Sequence, residues 1–85
     1  MAVEQSMWRV NDIVAYDVMR ELSASVQARL IDRLRAGDES ARTELLEVRR
    51  TTLAVDGYDR SAVDAFTQQI QGRDTELARA APGDH

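Results

Sequence analysis

Apolar residues recur at helical spacing along most of this chain. From Val10 an unbroken i+4 series runs through Val14, Val18, Leu22, Val26, Leu30 and Leu34, a row that lies on successive turns of one α-helix. Ile13, Met19 and Ile31 widen it. Four residues overshoot a helical turn by about 40°, so the row winds around the helix. A helix with so broad an apolar stripe can face two neighbouring helices, or one helix and another protein. Asn11 is placed to cap its start, and Gly37 supplies the residue that closes it. Residues 1–10 show no period and read as a short arm in which Trp8 and Val10 pack.

A second segment opens at Asp38, a good N-cap, with Glu39 beside it in the first turn. Ala41, Leu45, Val48, Thr52 and Val55 follow at alternating spacings of four and three, a narrow seam that Leu46 and Leu53 broaden on one side. The charged residues fall largely off the seam and predict a solvated face. Gly57 is expected to end this helix. Asp59 then caps a third, with Tyr58 and Val63 at the spacing of a hydrophobic staple and Val63, Phe66 and Ile70 as the buried edge. Gly72 is expected to stop it, and Asp74 to open a last short helix anchored by Leu77.

Three glycine-aspartate corners, with no β-branched alternation between them, predict an all-α fold. Such short connections make successive helices pack on one another. The expected architecture is a small helical bundle: an arm over 1–10, then one domain over 11–80 with helices at about 11–36, 39–56, 60–71 and 75–80. The long first helix receives two shorter ones folded back on it, and residues 81–85 form a flexible tail.

With 85 residues, the chain makes one domain whose core is thin, which favours help from a partner or a second copy. All 11 basic residues are Arg, a skew that mainly reflects GC-rich coding. Cys is absent, which removes disulfides, thiolate metal sites and Cys nucleophiles and makes a reducing, cytoplasmic setting the simplest expectation. No apolar run is long enough for a signal peptide or a membrane span. A net charge of −4 argues against unaided binding to phosphate backbones.

Candidate chemistry is sparse. No phosphate-cradling glycine loop, HExxH or Ser/His/Asp constellation can be assembled, and the one His is terminal His85. The acids include Asp12, Asp17 and Glu21 but form no Glu/His dimetal pattern. The chain is therefore not expected to be an enzyme or to hold a cofactor or metal. Gly57, Val63 and Phe66 match the turn and two buried positions of a helix-turn-helix. A recognition helix opening Asp59-Arg60-Ser61 and carrying Asp64 offers phosphates as much repulsion as attraction.

Thr52-Leu53-Ala54-Val55-Asp56-Gly57 resembles the inhibitory motif of the VbhA-type antitoxins, a Ser or Thr, three variable residues, then Glu and Gly or Asn. The helix over Ala62 to Ile70 and the following Gly72-Arg73-Asp74-Thr75-Glu76 extend the similarity over roughly residues 45–80. The resemblance implies an inhibitor of a Fic-domain AMP-transferase, in which Asp56 pairs with a toxin arginine and blocks productive placement of ATP while Thr52 supports it. Positions four apart share a helix face, and a desolvated carboxylate–Arg pair is strong. Asp for Glu shortens the reach, and Asp56-Gly57 also reads simply as a helix end.

A second likeness is shorter. Gly57-Tyr58-Asp59-Arg60 with Val63-Asp64-Ala65-Phe66 resembles the N-terminal motif of DivIVA-like cell-pole proteins, which implies a self-assembling scaffold. There the motif lies near the N-terminus and leads into a long coiled coil, unlike its place here. The sequence thus predicts a protein-binding module, an antitoxin-like inhibitor in its most specific form, with a DivIVA-like scaffold and then a DNA-binding regulator as alternatives. The partner-binding candidates are Thr52, Asp56 and Gly57, together with Val14, Val18, Leu22, Val26 and Leu30 on the first helix.

Overall fold

The computed structural model describes residues 2–80, with side chains from Val10 onward. It is all-α: α1 runs Ala2–Arg35, α2 Ser40–Ala54 and α3 Arg60–Arg79. The expected packing of Trp8 and the flexible tail over 81–85 lie outside what is described. The long axis of the molecule, 54 Å, is set by α1, whose 34 residues span about 51 Å at 1.5 Å each.

The buried edge of α1 alternates spacings of four and three through Tyr16, Met19, Ser23, Val26 and Leu30, rather than following the i+4 row. Ala41 and Leu45 of α2, and Val63, Phe66, Ile70 and Leu77 of α3, close over it. Both shorter helices pack on α1, with no backbone packing between α2 and α3. α2 runs antiparallel to α1, with Thr52 level with Ser23. α3 runs parallel to α1: Arg60 meets Asp12 at its start, and Asp74 meets Ser25 and Arg29 lower down. A groove of about 290 Å³ separates α2 from α3. It is bridged by Arg73, whose guanidinium makes two parallel bonds to the Glu44 carboxylate.

The first corner follows the sequence. Gly37 has φ 101°, the Gly37 amide donates to the Leu34 carbonyl at 3.1 Å and the Asp38 amide to Arg33 at 3.0 Å. That is a complete Schellman closure. Glu39 is already helical and its side chain makes no capping bond. The Asp38 carboxylate performs that role by accepting the Ser40 amide at 3.1 Å. The Ser40 hydroxyl above all, then the Ser40 amide and the Arg33 charge, holds the Asp38 carboxyl below the usual carboxylate range.

Three boundaries depart from the sequence reading. There is no arm: α1 is helical from Ala2, so Asn11 lies inside it. Residues 2–10 contain no Gly or Pro, and without a breaker the helix extends past a local cap signal. Nor does Gly72 stop a helix, because α3 continues to Arg79 and no separate fourth helix exists. Ile70 and Leu77 are seven residues apart and both buried on α1, so an unbroken helix keeps them on one face. Their burial, with the Arg73 and Asp74 ion pairs, outweighs the penalty of about 1 kcal/mol for a helical glycine. Finally, α2 ends at Ala54 with Val55 extended, two residues before the expected stop.

Two predictions follow from these ends. A Cβ at Gly72 would meet nothing within 4 Å, so Gly72→Ala should stabilise the protein by about 0.5–1 kcal/mol and raise the melting temperature by a few degrees. A break at this residue would instead make the substitution neutral or harmful. The Asp38 shift sets the sign of an acid effect. A depressed carboxyl contributes above its unfolded pKa and loses that contribution as pH falls through the folded value. The melting-temperature gap between the native protein and Asp38→Ala should be widest near neutral pH and narrow in acid.

Candidate functional site

The connection from α2 to α3 is built by two aspartates and one close approach. After Val55 turns extended, the Asp56 carboxylate accepts the Tyr58 amide at 2.9 Å and the Asp56 carbonyl accepts the Asp59 amide at 3.0 Å. Asp59 then caps α3 by accepting the Ala62 amide at 3.2 Å, as the sequence led one to expect. Gly57 matters here for space rather than for backbone conformation, since its φ is not positive. A Cβ on it would stand 3.2 Å from the Tyr16 ring. The corner is thereby seated directly on α1.

Between that corner and α1 lies an open cleft of about 790 Å³, lined by Asp12, Ile13, Tyr16, Val55, Asp56, Gly57 and Tyr58. Its walls are mostly apolar, with two carboxylates. Asp12 is compensated by Arg60 at 3.1 Å, and Arg60 also pairs with Asp64 at 3.0 Å. Asp64 first and Asp12 second push the Arg60 pKa up. Arg60 therefore makes no bond to the nearby Asp56, and among the described residues Asp56 has no ion-pair partner. A DNA-reading α3 would begin with a cation already held by two acids. Tyr58 forms no staple on Val63: it is 97% exposed on the rim while Val63 is in the core.

Thr52 and Asp56 do not share a face. The helix ends between them, and Thr52 points inward, 7% exposed, against Ser23, which is 1% exposed. The Thr52 hydroxyl donates to the Val48 carbonyl at 2.7 Å. Its one proton is thereby used, so the 2.6 Å contact with Ser23 runs from the Ser23 hydroxyl to Thr52. Ser23 in turn accepts from the Gln27 amide at 3.0 Å. Four groups are satisfied in one chain across the α1–α2 contact.

The first-helix candidates also divide. Val26 and Leu30 are core and Leu22 packs against it, so these three are internal rather than partner-binding in this fold. Val14 and Val18 are exposed, as are Val10 and Ile13. From Val14 to Val26 the winding row turns by about 120°, enough to carry it from solvent into the bundle. Leu46 and Leu53 are exposed too, and do not broaden the α2 seam. Among the described residues, no three His, Cys, Asp or Glu side chains group as a metal site would need, and no helix is long and apolar enough to cross a membrane.

The hydroxyl chain predicts a non-additive stability pattern. Thr52→Val leaves a buried Ser23 proton unbonded and should cost about 1–3 kcal/mol by urea unfolding, as should Ser23→Ala in the reverse sense. The double variant should cost less than the sum of the two. Asp56→Ala, at an exposed turn, should change stability by about 0.5 kcal/mol or less.

No family model, curated protein or solved structure matches the chain, so its function is argued from its own residues.

Proposed function

We propose that this protein is a small protein-binding module whose partner enters the cleft between α1 and the corner at residues 55–58. One observation supports this most: the rim carries the exposed ring of Tyr58 beside the Asp56 carboxylate, which has no ion-pair partner among the described residues. The ring packs on no core residue, and the carboxylate bonds only one turn amide. Tyrosine on a rigid corner supplies contact area at little entropic cost, and a carboxylate beside it selects a basic side chain. Ile13, Tyr16 and Val55 offer the apolar floor. Val14 and Val18 extend the exposed apolar surface along α1.

The specific form of this reading is an antitoxin-like inhibitor of a Fic-type AMP-transferase, with Asp56 facing the toxin arginine. Thr52 then acts from inside, fixing the end of α2 against α1 so that the corner is presented at a set angle. The test is an AMP-transfer assay on a Fic-domain enzyme with binding followed by calorimetry. Asp56→Ala and Tyr58→Ala should each weaken binding at least tenfold with unchanged melting, and Asp56→Glu should retain inhibition. If the native protein neither binds nor inhibits such an enzyme, the inhibitor form is wrong. If it binds and neither substitution matters, the cleft is not the site.

A further inference from the structure

We propose that the outer flank of α2 is a second docking surface, which takes an acidic amphipathic helix of another protein. The side of α2 turned toward α3 is marked by its residues that line the groove there, Glu44, Glu47, Val48 and Thr51. Arg42, Leu46, Arg49, Arg50 and Leu53 fall outside that set. At 3.6 residues per turn they share one arc of about 100° beyond the buried seam. All five are exposed, Leu46 at 53% and Leu53 at 84%. The two leucines are seven residues apart, about 10 Å along the axis, which is the repeat at which one helix meets another laid beside it. The core uses neither.

Charge selects the occupant. Arg29, Arg60 and Arg73, the cations around α3, each hold an Asp or Glu. Arg49 and Arg50 hold none among the described residues, and Arg42 meets only Glu39, at 3.4 Å with both side chains well exposed. In a chain of net charge −4, this strip therefore carries uncompensated positive charge, one helix wide and about 17 Å long. A second copy laid on it face to face would bring arginine against arginine in either direction, because the free charges of the strip all have one sign. A nucleic-acid duplex or an anionic bilayer spreads its charge more widely and would also meet the excess acids of the surrounding surface. A helix with leucines along one seam and carboxylates beside it matches the strip in width, in apolar repeat and in sign. Each guanidinium can then hold a carboxylate through two parallel bonds.

This surface shares no residue with the cleft lining, so the two can be tested apart. The probe is a synthetic helix of about 21 residues with leucine at every seventh position and glutamate at the positions beside it, together with a copy carrying lysine for every glutamate. By calorimetry in low salt, the glutamate helix should bind with a Kd below about 100 μM and the lysine helix at least tenfold more weakly. Arg49→Glu combined with Arg50→Glu should invert that preference, which a general loss of fold cannot do. Leu46→Ala combined with Leu53→Ala should weaken the glutamate helix at least tenfold while the circular dichroism spectrum and melting temperature stay as they are. Asp56→Ala, in the cleft, should leave this binding unchanged. Absence of binding, or an affinity indifferent to the arginine reversal, overturns the proposal. So does binding that Asp56→Ala abolishes, equal binding of duplex DNA or phosphatidylglycerol vesicles, or a native dimer in equilibrium sedimentation that the leucine substitutions dissociate.

Discussion

Everything in this molecule is held by one edge of α1. Because α2 and α3 do not pack backbone to backbone, each must bury its apolar face on the same alternating row of Tyr16, Met19, Ser23, Val26 and Leu30. The result is a spine with two riders, and the riders are fixed in height by polar contacts rather than by packing alone. Arg60 with Asp12 sets the upper end of α3, and Ser25 and Arg29 with Asp74 set its lower half. The Ser23–Thr52 contact does the same for α2. Apolar packing tolerates small sliding, whereas a bond with a defined donor and acceptor does not. Together with the buried row, these bonds set where the corner at 55–58 stands against Tyr16.

The all-α class and the order of the three helices were legible from spacing, though not the start of α1 or the length of α3. The α2 seam was legible too, because Ala41, Leu45, Val48, Thr52 and Val55 all sit at positions where four and three alternate. The α1 edge was harder to read for a physical reason. Its true seam contains Ser23, while an unbroken and wholly apolar i+4 row runs beside it and draws attention. The signal was present: Ser23 and Thr52 are both hydroxyls at seam positions of neighbouring antiparallel helices, and each is the other's remedy for burial. Gly72 misled in the opposite direction, since a glycine is a helix stop only where no tertiary contact continues the same face beyond it. Leu77, in phase with Ile70, was that contact.

The candidate site was legible as a location and not as a geometry. Sequence spacing placed Thr52 and Asp56 one turn apart on a shared face, but an extended Val55 intervenes and sends them to opposite sides of the surface. Nothing in local propensity announces that Gly57 comes close to a ring about forty residues earlier in the chain. The cleft exists because α1 runs on past its last tie, Asp12, for nearly three more turns to Ala2 while the corner stops beside Tyr16. A shorter α1 would leave a convex end there.

The upper part of α1 carries exposed apolar residues that the core does not use. An isolated segment of two or three turns is marginal in water, and continuity with the lower half of α1 supports this part as helix. Val10, Ile13, Val14 and Val18 are exposed over an arc of about 140°, less than half of the circumference. Ile13 belongs both to that stripe and to the lining of the cleft, so the exposed apolar strip of α1 runs on into the side toward the corner.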